Sequence, residues 1–209
     1  PLYLHDSHRR QRQMCIIDRA LSNINILNIM KDVGCGIDAV SIQEVELALY
    51  VGFKTDQIFY TPSGVELSEI KKALKLGVQI NIDNISALKK IAENLSSVKL
   101  GIRINPNVRA GGNSKISVGD SESKFGLNTS EIQEAKKIIS ENNISINGLH
   151  IHTGSDIEDI NSFLKACDFV FEQAEGFKEL EFLDFGSGFK VKYFENCLLY
   201  TSPSPRDSR

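Results

Sequence analysis

The sequence predicts an α/β fold with parallel strands and outer helices, and three observations carry that prediction. Short apolar runs that read as strands open at Ile37, Ile58, Val78 and Leu100, at a near-constant interval. Helical periodicity follows each of them, which is the signature of a βα repeat. The strands are continuous apolar runs rather than alternating ones, as expected where both faces of a parallel sheet are covered. Six strands can be counted. A closed (β/α)8 barrel needs eight, whereas an open doubly wound sheet is satisfied by six. Periodicity does not choose between them.

The elements follow in order. Ile37–Val40 reads as a strand, and Ser41 with Glu44 forms a capping box that opens a helix ending at Gly52. Ile58–Tyr60 is the next strand, followed by a helix with Leu67, Ile70 and Leu74 on one face and Gly77 at its end. Val78–Ile82 is a strand, and Asn84 or Ser86 caps a helix bearing Leu88, Ile91 and Leu95. Leu100–Ile104 precedes a long polar loop over Pro106–Phe125. Thr129 is read as the cap of a helix with Ile132, Ala135 and Ile139. Ile146–Ile151 is a strand, then Phe163, Ala166 or Cys167, Val170 and Ala174 mark a helix, and Leu180–Phe185 is the last strand.

Composition narrows the function classes. With a net charge of −3, the chain offers no electrostatic reason to bind nucleic acid or an anionic membrane. No apolar run approaches the roughly twenty residues of a membrane span, and no leader layout opens the chain, so a cytoplasmic location is expected. Cys15, Cys35, Cys167 and Cys197 lack CxxC spacing, which points to free thiols and no metal site. All sixteen lysines lie between Lys31 and Lys192, a span with only two arginines, while six arginines and no lysine sit in the two ends. Residues 1–19 and 197–209 are therefore read as non-native, disordered tails that resemble translated sequencing adapters, leaving 20–196 as the folded domain.

Two glycine-bearing motifs follow late strands: Gly148–Asp156 (Gly-Leu-His-Ile-His-Thr-Gly-Ser-Asp) and Leu183–Phe189 (Leu-Asp-Phe-Gly-Ser-Gly-Phe). Bare amides at Gly186, Ser187 and Gly188 can cradle a phosphate, although a lone Gly-x-Gly is more simply an ordinary turn. The dinucleotide fingerprint is absent, because the third glycine and a following helix with its acidic residue are missing. His150 and His152, two apart on a strand, share one face. They read as a ligand-stacking and a packing imidazole, or simply as buried histidines, and no third ligand supports a metal. Gly154 and Ser155 offer an amide and a hydroxyl to a phosphate oxygen. Asp38 and Arg103 each interrupt an apolar strand and need a partner. They are read either as a pair, as cofactor contacts, or as peripheral structural groups.

Together, Gly36–Glu44, Arg103–Val108, Ser123–Gly126, Gly148–Asp156 and Leu183–Phe189 resemble the diaminopimelate decarboxylase family, over about residues 20–192. The resemblance implies an incomplete TIM-type barrel of six to seven parallel strands that binds pyridoxal 5'-phosphate, without the family's C-terminal β domain. It implies that His152 stacks on the pyridine ring, that Ser155 and the Gly186-Ser187-Gly188 run hold the phosphate, and that Asp38, Glu44 and Arg103 shape the pocket. Ser187 departs from the usual third glycine and needs a permissible φ. Arg19 stands where the family has its Schiff-base lysine, and a guanidinium that stays protonated is no nucleophile. Residues that the family supplies beyond this span are not found, so no catalytic residue is assigned and the fragment is expected to be inactive. The parent is expected to be a homodimer that decarboxylates a small amino acid, meso-2,6-diaminopimelate, to L-lysine. The alternatives are a carboxynorspermidine or arginine decarboxylase, or a non-catalytic pyridoxal-phosphate or phosphate-binding barrel.

Overall fold

The structure is a computed structural model that describes residues 15–17, 23–108, 125–155 and 157–190. The chain divides into two units, Pro1–Ile82 and Asp83–Arg209.

The first unit runs β1 (Cys15–Ile17), α1 (Ile24–Asp32), β2 (Gly36–Ala39), α2 (Ile42–Val51), β3 (Ile58–Tyr60), α3 (Leu67–Leu76) and β4 (Gln79–Ile82). Its strands pair in chain order, all parallel: β1 with β2, β2 with β3, β3 with β4. Register and alternation sort the side chains. Ile37, Ala39, Ile58, Tyr60, Ile80 and Ile82 share one face and are all buried. The Tyr60 hydroxyl is pushed up to about 12, first by burial and then by Glu69 on α3 and Glu44 on α2, which marks this face as the helix-covered one. Asp38, Phe59, Thr61, Gln79 and Asn81 take the other face.

Local chemistry accounts for the helix ends. Ser41 Oγ accepts from the Glu44 amide, and Glu44 Oε2 accepts from Ser41 and Val40. Gly52 and Gly77 turn left-handed at φ 94° and 76° to close α2 and α3. Lys31 Nζ donates to the Val51 carbonyl at 2.8 Å, satisfying one of the orphan carbonyls at the end of α2.

Two elements depart from the sequence reading. Cys15–Ile17 falls inside the span read as an unpacked tail, yet it forms β1, because three consecutive residues suffice to extend the ladder beside Gly36–Asp38. Helix α1 was not foreseen either. Of its apolar residues, Leu27 is buried while Ile24 is 42% and Ile29 60% exposed.

The second unit runs α4 (Ile85–Asn94), β5 (Lys99–Arg103), α5 (Thr129–Glu141), β6 (Ser145–His150), α6 (Ile160–Ala174) and β7 (Phe182–Asp184). Here too the strands are parallel and in chain order, β5 with β6 and β6 with β7. Neither unit shows the strand-order reversal that a doubly wound sheet requires. Asn84, not Ser86, caps α4. Asn128, not Thr129, caps α5, in a reciprocal pair with Glu131; the amide oxygen one residue earlier is the one that reaches the free N–H groups. Ala166 is the buried member of the Ala166–Cys167 pair on α6. The Phe182 ring packs over Gly148, where a Cβ would lie 2.0 Å from it.

Candidate functional site

The carboxyl ends of β5, β6 and β7 converge in register. Arg103, His150 and Asp184 are the last residues of their strands and pair Arg103↔His150 and His150↔Asp184. The ladder then runs one step further, with Ile104 N–H donating to the His150 carbonyl at 2.8 Å and Ile151 N–H to the Asp184 carbonyl at 2.9 Å. Three charged or imidazole groups thus stand side by side where parallel strands end, the usual place for a ligand in such folds.

His152 follows this row. Its pKa is lowered to about 4, first by burial, then by Arg103 and by the neighbouring His150, against a weaker opposing pull from Asp184. The imidazole is therefore neutral at physiological pH. Beneath it, His150 is buried with Nε2 3.9 Å from Asp184 Oδ2, and its Nδ1 has no hydrogen-bond partner. Thr153 is fully buried, and its hydroxyl likewise has no partner. The Arg103 guanidinium lies 5.2 Å from the centroid of the Phe125 ring. Phe125 is delivered there because Leu127 bridges Ile104, and Gly126, at φ 78°, passes so close to β5 that a Cβ would sit 3.0 Å from the Ile104 carbonyl carbon.

The two glycine motifs run alongside each other, bridged at Ile157 and Phe189. Gly154, Gly186 and Gly188 all have positive φ, at 120°, 69° and 110°. A Cβ on Gly186 would come within 2.4 Å of the Ile151 carbonyl and 3.3 Å of His152 Nδ1; one on Gly188 would come within 1.9 Å of the Gly154 carbonyl. The backbones thus approach as closely as glycine allows. Ser187, between them, is not among the residues with positive φ, so the departure from a third glycine carries no strain. Ser155 and Ser187 are both exposed.

The second unit therefore gathers Arg103, His152, Ser155, Gly186, Ser187 and Gly188, along with His150. Asp38 belongs to the first unit, on the polar face of its sheet. It accepts from Thr61 Oγ1 at 3.1 Å, and Thr61 Oγ1 accepts in turn from Asn81 Nδ2 at 3.3 Å. Asn81 is fully buried, and its Oδ1 has no partner. Glu44 is engaged by the amides of Val40 and Ser41 at the start of α2. Arg19, Ser123, Lys124 and Asp156 lie outside the described residues. Sequence reasoning missed Thr61, Asn81, Thr153 and Asp184. Asn81 carried a readable signal, a polar residue between Ile80 and Ile82, the same interruption that singled out Asp38.

Comparison with known proteins gives concordant results. The profile of the "Pyridoxal-dependent decarboxylase, pyridoxal binding domain" family matches residues 7–199, reaching into both ends that composition set apart. Diaminopimelate decarboxylase of Methanothermobacter thermautotrophicus is 35% identical over 182 residues, covering 84% of this chain and 42% of that protein. The Haemophilus influenzae diaminopimelate decarboxylase is 33% identical over 208 residues, covering 95% and 49%. The crystal structure of Helicobacter pylori diaminopimelate decarboxylase complexed with L-lysine superposes with a TM-score of 0.80 at 33% identity, over 88% of this chain and 49% of that one. The chain thus spans about half the length of the relatives it matches. The fold is the partial α/β barrel of these decarboxylases.

Proposed function

We propose, for a chain that belongs to the pyridoxal-dependent decarboxylase family, that it is the cofactor-holding part of an enzyme that converts meso-2,6-diaminopimelate to L-lysine and carbon dioxide. The observation that carries the cofactor half is the pairing of a neutral His152 with the Gly186–Gly188 turn packed against it. The residues fit the group. A neutral imidazole suits the face of an aromatic pyridine better than a charged one that would have to be desolvated. Two glycines held at positive φ keep the turn bare of side chains, and the exposed hydroxyls of Ser155 and Ser187 can donate to phosphate oxygens. Burial first, and Arg103 after it, keep that imidazole unprotonated. Asp38, held by Thr61, presents a carboxylate of fixed orientation on its own sheet.

Pyridoxal phosphate, when bound, supplies the electron sink that accepts the electron pair released as carbon dioxide leaves. The protein's share would be to hold the phosphate through Ser155 and the Gly186–Gly188 turn and to offer the ring the neutral imidazole of His152. The choice of diaminopimelate rests on the relatives, which carry that name at 33–35% identity, one of them solved with L-lysine.

Arg19 at the lysine position implies that this chain takes the cofactor without a covalent link and does not release carbon dioxide. Titration of the purified chain with pyridoxal phosphate tests both statements. Saturable binding that borohydride does not make permanent is expected, with Arg19→Lys gaining a borohydride-fixed adduct at residue 19. A chain with no saturable binding defeats the cofactor assignment. Carbon dioxide release from diaminopimelate by the unaltered chain defeats the reading of Arg19.

A further inference from the structure

One carboxylate is placed to do more than its sequence context suggests. Asp184 ends β7, and the two oxygens of its side chain face different ways. Oδ1 accepts from the Gly186 amide at 2.8 Å, closing a two-residue Asx turn. Oδ2 lies 3.9 Å from Nε2 of the buried His150. The Asp184 main-chain carbonyl meanwhile accepts from Ile151 N–H, the residue just before His152. A single residue thus ties the start of the glycine turn to the strand that carries both imidazoles.

This changes which atoms of the turn face an anion. The Gly186 N–H is already given to Asp184, so Gly186 serves through its positive φ and missing Cβ. We propose that Asp184 is a positioning residue: it presets the Gly186–Gly188 turn by taking the Gly186 amide, and leaves the anion contacts to Ser187 and Gly188. The proposal rests on the cofactor reading above and refines it. It also specifies a chemistry, because the turn needs an acceptor at Oδ1 but not a charge. A carboxylate close to a phosphate site is electrostatically unfavourable, so an amide that kept the acceptor would hold the turn equally well without repelling the anion.

The test uses the full chain and its Asp184→Asn and Asp184→Ala variants, with inorganic phosphate and pyridoxal phosphate as separate probes followed by phosphorus NMR. Amide hydrogen exchange is read at Gly186, with the Leu149 amide as the control for global opening. Asp184→Ala is expected to expose the Gly186 amide to exchange and to weaken both probes roughly tenfold, the scale of one lost ordering hydrogen bond, while Leu149 is unchanged. Asp184→Asn is expected to keep Gly186 protected and to bind both probes at least as well as the parent. If Asp184→Ala leaves Gly186 exchange and both affinities unchanged, or if Asp184→Asn fails as badly as Asp184→Ala, the proposal is wrong. A parent chain that protects Gly186 through Asp184 yet binds neither probe overturns the cofactor reading and the anion contacts, but supports the hold on the turn. The two failures are thereby distinct.

Discussion

In the first unit, Gly34, Gly52 and Gly77 turn left-handed just after a helix, and a side chain added at Gly34 or Gly77 would meet nothing within 4 Å. In the second, Gly154, Gly186 and Gly188 turn left-handed just beyond strands, and side chains added at Gly186 and Gly188 would collide with backbone at 2.4 and 1.9 Å. The backbone angle is similar, but the demand on the residue is not. After a helix, glycine is chosen for φ alone, to close the last turn. Beyond these strands it is chosen for φ and for space, because two loops approach more closely than a Cβ permits. Glycines of the second kind mark where the backbone of one loop packs directly against that of another.

The largest effect that would break this comparison is Gly188→Ala. It adds left-handed strain and a carbon 1.9 Å from the Gly154 carbonyl, and flexible side-chain motion cannot relieve a backbone clash. A loss of about 3 kcal/mol or more is expected from the two terms together, along with loss of pyridoxal phosphate binding. Urea denaturation and a cofactor titration check it. A variant with parental stability and affinity would mean that the loops separate freely, and the distinction between the two kinds of glycine would fall.

Next in size is Thr61→Val in the first unit. Thr61 both donates to Asp38 and accepts from the buried Asn81. Valine keeps the shape and strands the Asn81 amide, whose Oδ1 is already without a partner. A cost of about 2 kcal/mol is expected, in the range for a buried polar group left unsatisfied. Equilibrium unfolding with Asn81→Leu and the double variant checks it. The double variant should cost less than the sum of the singles, since removing both ends leaves no orphan. Strict additivity would show that the two residues are not coupled.

How much of this was legible in the sequence depended on range. Ser41 with Glu44, and Gly52 and Gly77 after apolar stripes, were readable because a cap is a contact within one turn of chain. Helix α1 was equally local, with Asn23 as its cap, yet went unread beside the segment that composition set apart. Strand β1 was missed because three residues in a segment of odd composition carry no pattern of their own. At the site, the histidines and glycines stood out by residue type. Asp184 did not, since Leu-Asp-Phe reads as the tail of a strand, and its bond to Gly186 exists only in the turn that the strand enters. Thr61 and Asn81 became a pair only once β3 and β4 were set in register. Their spacing, twenty residues apart in sequence, gives no hint of the contact.

An effect of pH separates the units as well. His152 has a folded pKa of about 4 against an ordinary value of 6.5. The unfolded chain therefore binds a proton that the folded chain refuses between those values, and stability falls as pH drops through that window. Denaturation midpoints of the parent should decline from pH 7 to pH 4.5 more steeply than those of His152→Gln. Parallel slopes for the two proteins would show that this imidazole titrates normally and is not held neutral.

The smallest expected effect tests the first kind of glycine most directly. Gly77→Ala places an ordinary side chain in the left-handed region with open space around it, so only the backbone strain remains, about 1 kcal/mol. Asparagine visits that region more readily than alanine, so Gly77→Asn should cost measurably less than Gly77→Ala in the same urea titration. At Gly188 the order should vanish, because the clash with the Gly154 carbonyl begins at Cβ, an atom that alanine and asparagine share. An asparagine that rescues Gly188 as well as Gly77 would reduce both glycines to a single requirement of φ, and the close approach of the two loops would then make no demand of its own.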